Sequence, residues 1–458
     1  MGRKYYKQQK VIKKKKKHGC IEVVFFPYKV SMADSFETIY FAAKADPDCN
    51  AVWCPIPYYD KDPEGHYRKV HYEDDYPEKF KVTRYWEYDV EKRHPDIIFI
   101  HNPYDGTNLV TSVHPDYYSS RLKVCTELLV YVDYGVPIWV AKNPKDNIAE
   151  DRLLQLPGEW NSDVIITYSE DMARSVKNGI LLNEGYPVQW RQRLANNVKA
   201  MGSSKFDCVL NASKDHYVLP KEWSKIVQGK KIVLFNTSLA ELLKHNERHI
   251  EEIQKFIQVF RKNNKVVLWW RPHPLEMSTL QSMRPQLYDT YHAIVEDFIK
   301  EKNGIYDDTD DLYRAITWSD GCLTTESSIA FLYLASGKPF SICNMEKEGW
   351  ATTEDSGETF HEILRYRIDN MQLAKGANVG DWNCCIWWDI FFRVDTIHLV
   401  RFGNFLKRFL HFITHIEEYS EANLYRELQK KMFRDFVANS DGTAGEKIYQ
   451  YCKGRITT

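Results

Sequence analysis

The chain has 458 residues, more than one hydrophobic core usually serves, so two domains are expected. Its 62 Lys and Arg nearly balance its 63 Asp and Glu, which argues against both a globally basic nucleic-acid binder and an acidic, solvating chain. Aromatic residues make up 14% of the chain but are not set in basic stretches, so base stacking is not indicated either.

Charge is concentrated at the start instead, where Met1 to His18 carries eight Lys, one Arg and no acid. Two readings of residues 1–18 stand: a solvated, disordered tail, or a segment drawn to an anionic membrane surface at roughly 1 kcal/mol per basic residue. The following apolar run, "CIEVVFFPYKV", is too short for a signal peptide or a spanning helix. The expected location is cytoplasmic, with peripheral contact at the inner face of the membrane under the second reading. The ten cysteines contain no C-x-x-C pair, so reduced, mostly buried thiols are expected rather than a zinc site or a disulfide framework.

In chain order, "IEVVFFPY" (Ile21 to Tyr28) reads as a strand and Asp34 to Asp46 as a helix opened by Asp34 or Ser35. "NAVWCPIPYY" begins the next unit, and the tyrosine-rich stretch after it, to about Arg93, has no clean period. "DIIFIHNPYD", "LLVYVDYGVPIWV" and "DVIITYSE" are buried strands bounded by turn chemistry. A second set follows "YVLPKEW": the strand "KKIVLFNTS", one long amphipathic helix from Ser238 to Asn263 with Ser238 and Glu241 as a capping box, and the strand "KVVLWWRPHP". Next come a helix near Gln286 to Lys300, "GIYDD", the helix "DDLYRAITWSD", the strand "GCLTT", the helix "ESSIAFLYLASG" and the strand "KPFSIC". Strands alternating with helices imply parallel sheets covered by helices. The expected domains are 19–210, 211–364 and a C-terminal helical segment, 365–458. In the last, the aromatic-rich run from Trp382 to Tyr419 reads as core or domain-bridging helices, with an interfacial membrane helix as the rival.

Chemistry concentrates where strands end. Pro272 and Pro274 stop a buried strand and stiffen its loop, which holds Arg271 and His273 at the strand's C-terminal edge, where open α/β sheets bind ligands. A guanidinium forks onto phosphate oxygens and an imidazole donates a hydrogen bond; pairing of Arg271 with a carboxylate is the lesser, structural alternative. Thr324 and Thr325 end another strand, and a helix starts around Glu326 to Ser328, so hydroxyls and free N–H groups converge on an anion site or simply cap the helix. Asp307, Asp308, Asp310 and Asp311 read as helix caps rather than a magnesium cluster. His245 and His249, four apart, read as solvated helix surface rather than a metal site.

Taken in order, "RPHP", "YDDTDDLYRAITWSD", "LTTESSIAFLYLASGKP" and the closing "DGTAGEKIYQY" (Asp441 to Tyr451) resemble the C-terminal half of the CDP-glycerol glycerophosphotransferase family, the teichoic-acid primases and polymerases of bacterial cell-wall synthesis. The likeness covers Lys231 to Phe340 and the closing motif. It implies an α/β, GT-B-like architecture of two doubly wound Rossmann-like domains facing a cleft. It further implies metal-independent, cofactor-free transfer of glycerol phosphate or a related polyol phosphate from a CDP-activated donor to a hydroxyl of a glycan or lipid-linked acceptor.

On this resemblance Arg271 and His273 match the family's RPHP, near the donor pyrophosphate, and Thr324, Ser327 and Ser328 match the phosphate-binding T-D-Y-S-S, with Thr325 and Glu326 in place of its Asp and Tyr. The family's general base lies in T-W-H-G-T-P. Its counterpart here is "VDYGVP", Val132 to Pro137, where Tyr134 takes the histidine's place and is a poor base at neutral pH. His101 in "FIHNPYDG", with Asp105 to orient it, is the nearest substitute. The rivals are a UDP-sugar glycosyltransferase or 2-epimerase on the same architecture and a noncatalytic nucleotide-binding protein.

Overall fold

The computed structural model describes residues 20–62, 64–136, 156–324, 327–342, 416 and 426–457. The Lys-rich start, Thr325, Glu326 and the aromatic-rich run from Trp382, apart from Ile416, lie outside them. Among the described residues the chain divides into two compact units, one comprising residues up to Val136, 156–211 and 434–457, the other 212–433.

The first unit contains β1 (Ile21–Phe25), β2 (Cys49–Trp53), β3 (Tyr58–Lys61), β4 (Tyr67–His71), β5 (Ile97–Ile100), β6 (Thr111–Val113), β7 (Leu128–Val132), β8 (Val164–Thr167) and β9 (Val198–Ala200). Six of these form a parallel sheet in the order β2-β1-β5-β7-β8-β9. β5, β7 and β8 are buried along their whole length and apolar but for Thr167 at the end of β8, as strands covered on both faces must be. Phe25 stacks on Phe99 of the neighbouring strand at 4.7 Å between ring centres, Phe36 and Tyr40 pack edge-on against Phe25, and Trp53 lies near-parallel to it at 6.1 Å. The sheet's first and third strands in chain order, β1 and β5, are neighbours, and their connections leave in opposite directions. This switch point opens a crevice at the C-terminal edge.

Three local expectations are corrected. The helix after β1 starts at Glu37 rather than at Asp34 or Ser35; a 3-10 turn, Val30–Ser35, precedes it, and the Ser35 hydroxyl donates to the Met32 carbonyl instead of capping. The tyrosine-rich stretch supplies two strands of a small antiparallel sheet, β4-β3-β6. Its third strand, β6, comes from beyond β5, so no local period announces it. The long helix expected from Ser238 is two helices, Leu239–His245 and Glu247–Arg261, broken at Asn246, whose φ of 48° and ψ of −119° no helix accommodates.

The second unit contains β10 (Lys231–Asn236), β11 (Val266–Arg271), β12 (Ile305–Tyr306), β13 (Gly321–Thr324) and β14 (Phe340–Ile342). They form one parallel sheet in the order β12-β11-β10-β13-β14, so its switch point lies between β10 and β13. Both units are thus doubly wound, as the alternation of strands and helices implies. In the register, Asn236 pairs with Arg271 and Phe235 with Leu323. The three central strands therefore end level, at Asn236, Arg271 and Thr324.

The closing motif is structural. Asp441 accepts the Thr443 N–H at 3.2 Å, and the helix Ala444–Thr457 inserts Ile448, Tyr449 and Cys452 into the first unit's core. Asp207 caps that helix, accepting the N–H groups of Ala444 and Gly445 at 3.1 and 2.8 Å. Among the described residues no helix is long and apolar enough to cross a membrane. The seven described cysteines are free, and five of them are buried.

Candidate active site

At the C-terminal edge of the second unit's sheet, a line of hydrogen bonds spans the switch point. The Thr324 hydroxyl donates to Asn236 Oδ1 at 3.2 Å, and the Asn236 amide donates to the Arg271 carbonyl at 3.1 Å. Ser327 Oγ lies 3.1 Å from Thr324 Oγ1; with the Thr324 proton committed to Asn236, Ser327 donates here and keeps its lone pairs. Ser327 occupies the N-cap position of the helix Ser328–Ser336, yet its side chain caps no N–H group, and Ser328 in the first turn is exposed. Uncapped N–H groups and the positive end of the helix dipole at a switch point suit a phosphate. The sequence brings Thr324, Ser327 and Ser328 to this place; Thr325 and Glu326 lie outside the described residues.

His273 follows β11 and is partly exposed. Its Nδ1 accepts the Leu275 N–H at 3.1 Å, and burial lowers its pKa, while Glu276 opposes that shift. At neutral pH the ring is therefore neutral and carries its proton on Nε2, which has no hydrogen-bond partner among the described residues. It is set to donate to an anion.

Arg271 takes the structural alternative. It is only 6% exposed; its Nη1 lies 2.8 Å from Asp307 Oδ2, and its Nη2 donates to the Thr309 carbonyl. Trp269 Nε1 donates to the same carboxylate at 2.9 Å. Asp307 thus anchors the end of β11, and its Oδ1 accepts the N–H and hydroxyl of Thr309 at 3.0 and 2.7 Å. Of the four aspartates, Asp311 is the one seen to cap the helix Leu312–Trp318, by accepting the Arg314 N–H. With its guanidinium committed to Asp307, Arg271 stiffens the loop that carries His273.

The reading of His245 and His249 as solvated helix surface is corrected: the His245 side chain is only 12% exposed, with Nε2 at 3.4 Å from Glu241 Oε2. His249 goes further. Its side chain is wholly buried, with Nε2 at 3.4 Å from Glu276 Oε1, because the face it occupies on Glu247–Arg261 is the packed one. Glu276 Oε2 accepts the Thr237 hydroxyl at 2.6 Å and the His273 N–H at 3.2 Å. One buried carboxylate therefore braces the loops after β10 and β11 against the helix that carries His249. Glu276 closes the same "RPHPLE" stretch, but nothing in that run marks it as buried.

In the first unit, His101 follows β5 at the switch point. Its Nδ1 lies 2.7 Å from Ser35 Oγ, its ring stacks on Phe36 at 4.6 Å, and it has no exposed surface. Both bonds of Ser35 are satisfied when His101 Nδ1–H donates to Ser35 and Ser35 donates to Met32, leaving Nε2 as a buried acceptor without a partner. Burial, helped by the charge of Lys205, pushes the His101 pKa down to about 3. Asp105 does not orient His101. Its carboxylate accepts the N–H and hydroxyl of Ser119 at 2.9 and 2.7 Å, and Ser35 holds the imidazole instead.

Tyr134 follows β7, with its hydroxyl 3.4 Å from that of Tyr104; burial raises its pKa further. Beside it are two carboxyls that the sequence did not single out. Glu159 sits in the helix Pro157–Asn161, which closes on the loop after β5: Gly158 donates to the Pro103 carbonyl at 2.7 Å, and a Cβ at 158 would stand 2.7 Å from Pro103 Cα. Burial pushes Glu159 up to about 8 and Asp133 up to about 6.

No protein-family model matches the chain, and no curated protein matches it at a significant level. Solved structures do. A variant of the wall teichoic acid polymerase TagF superposes with a TM-score of 0.52 at 12% identity, over 99% of this chain and 94% of that one. A protein assigned as a UDP-N-acetylglucosamine 2-epimerase from Listeria monocytogenes gives 0.51 at 13% identity, over 95% and 97%. The S. aureus MnaA–UDP structure gives 0.50 at 11% identity, over 95% and 97%. The fold is therefore the GT-B fold that these proteins share.

Proposed function

We propose that the chain is a transferase that moves glycerol phosphate, or a related polyol phosphate, from a CDP-activated donor to a hydroxyl of a cell-surface glycan or lipid-linked acceptor. The observation that carries this reading is the second unit's switch point. Ser327 stands there at an uncapped helix start, on the row of strand ends formed by Asn236, Arg271 and Thr324, with His273 at the end of the adjacent β11. The order of motifs along the chain, with TagF among the structural neighbours, favours a polyol-phosphate donor.

In this mechanism the Ser327 helix end and the Nε2–H of His273 hold the donor pyrophosphate and stabilise charge on the departing CMP. Arg271 keeps the RPHP loop rigid through Asp307, so the donor groups need little reorganisation in the transition state. Tyr134 lines the acceptor side of the first unit. Incubation with CDP-glycerol and an acceptor is expected to release CMP, and His273→Ala to lower that rate by at least about 100-fold, the order reported for loss of one oxyanion-type donor. An unchanged rate in His273→Ala contradicts the assignment.

A second reading, a UDP-sugar enzyme, is favoured by the two epimerase-type neighbours, whose TM-scores equal that of TagF within 0.02. Release or rearrangement of a UDP-sugar, with no CMP from CDP-polyols, decides for it.

A further inference from the structure

The connection from β8 to β9 in the first unit is a pair of helices, Glu170–Leu182 and Val188–Asn196. The first buries Met172, Ala173, Val176, Gly179 and Ile180 on its packed side. Its other side carries Arg174, Lys177 and Leu181, at the three- and four-residue spacing that aligns side chains on one face. Where the two helices meet, large apolar side chains turn outward: Leu181 is 42% exposed, Leu182 63%, Tyr186 42% and Val188 57%. Such residues scattered singly need no explanation, but a cluster of them marks a surface that something covers.

This tip is held in shape. Tyr186 stacks on Trp160 at 4.2 Å and on Trp190 at 4.8 Å, and Trp190 stacks on Trp160 at 4.8 Å. Asn183 Oδ1 accepts the Gly185 N–H at 2.9 Å, and Arg191 donates to the Leu181 carbonyl, which ties the second helix to the end of the first. The apolar residues are therefore fixed without being covered, so little ordering remains to be done when a partner covers them.

Charge indicates which partner. From Arg174 to Arg193 the charged residues are Arg174, Lys177, Arg191 and Arg193 against one acid, Glu184. Arg174 pairs with Asp171, whereas Lys177, Arg191 and Arg193 have no ion-pair partner among the described residues. A second copy meeting this face about a two-fold axis would bring like charges together. A bilayer containing anionic lipid complements them instead. Its headgroups take the basic side chains, its interface suits the amphipathic ring of Tyr186, and the leucines reach the acyl boundary. The chain also enters the fold on a matching edge. β1 and β9 belong to one parallel sheet, so Cys20, just before β1, and Asn197, just before β9, lie on the same edge of it. The Lys-rich residues 1–18 lead into that edge.

We propose that the tip formed by Leu181, Leu182, Tyr186 and Val188 is a membrane-contact site that seats the first unit on an anionic lipid surface. It is separate from the nucleotide site and holds whichever nucleotide the second unit takes.

Co-sedimentation of the full chain with vesicles tests this, using phosphatidylcholine alone and phosphatidylcholine mixed with phosphatidylglycerol. The Lys-rich start is intact in every variant, so any difference between variants arises at the tip. The parent chain is expected to bind the anionic vesicles. Leu182→Asp and Val188→Asp, at exposed positions, are each expected to weaken that binding at least about 10-fold, and Lys177→Ala about fivefold, the loss of one basic residue at such a surface. Leu182→Phe, which stays apolar, keeps parental binding. A parent chain that does not bind anionic vesicles, or Asp variants that bind them as the parent does, overturns the proposal. So does a parent dimer in sedimentation velocity that Leu182→Asp dissociates, which assigns the tip to a second copy.

Discussion

Glu276 shows how much of the candidate site depends on one buried side chain. Its carboxylate serves Thr237, the His273 N–H and His249 together. Removing it strands groups that have no water to turn to, at about 1–3 kcal/mol for each buried polar group left unpaired. Glu276→Ala is expected to lower unfolding free energy by roughly 3 kcal/mol or more, read from the urea midpoint at constant m, and to weaken nucleotide binding through the loosened His273 loop. Parental stability in this variant contradicts the brace.

His101 gives a pH signature. Its pKa falls from 6.5 in the unfolded chain to about 3 in the fold, so the unfolded state binds the extra proton between these values. Its contribution to stability is whole above 6.5 and is lost as pH falls toward 3, at about 1.4 kcal/mol per pH unit within that window. His101→Asn, which does not titrate, should flatten this component of the stability profile. The positions of His273, Thr324 and Ser327 at strand and helix ends were legible in the sequence because prolines and cap-type residues are local signals. Glu276 and Ser35 were not: their partners lie 27, 39 and 66 residues away.

Secondary-structure elements are held in place by close backbone approaches. Gly445 lies against Thr38 and Ile39; a Cβ there would stand 2.5 Å from the Thr38 carbonyl carbon and 2.7 Å from the Ile39 nitrogen. Neither is a flexible side-chain end, so the closing helix has to move. Gly445→Val is expected to lower Tm by several degrees, a loss of roughly 1–3 kcal/mol as for overpacked cores, and calorimetry of purified protein checks it. The "DGTAGEK" stretch was readable as a motif, but its work is to dock a helix into the first unit's core. The break at Asn246 was not readable, since "HNERH" contains neither glycine nor proline and the amphipathic pattern runs through it. The antiparallel sheet escaped notice because β3 and β6 are separated by the whole of β5.

At the scale of the whole molecule, alternating strands and helices were enough to anticipate two doubly wound sheets, because parallel strands buried on both faces have no other economical arrangement. Strand order places Ser35 with His101, and Asn236 with Thr324, at the two switch points. Periodicity alone does not supply that order. The two readings of the basic run Met1 to His18 predict different outcomes: if its eight Lys and one Arg draw the chain to a membrane surface, binding to vesicles containing anionic lipid falls in high salt and on deletion of residues 1–18, whereas a merely solvated tail adds nothing to such binding. Binding unchanged by either treatment rules out an electrostatic tail.

The most direct test of the central claim is ligand-dependent thermal stability of the purified chain with CDP-glycerol, CDP-ribitol, CMP and UDP-N-acetylglucosamine. A ligand at 100 times its Kd stabilises the fold by about 2.7 kcal/mol, or a few degrees for units of this size. The polyol-phosphate reading predicts such a shift with the cytidine ligands, reduced in His273→Ala. A shift with the UDP-sugar alone, or with no ligand, contradicts it.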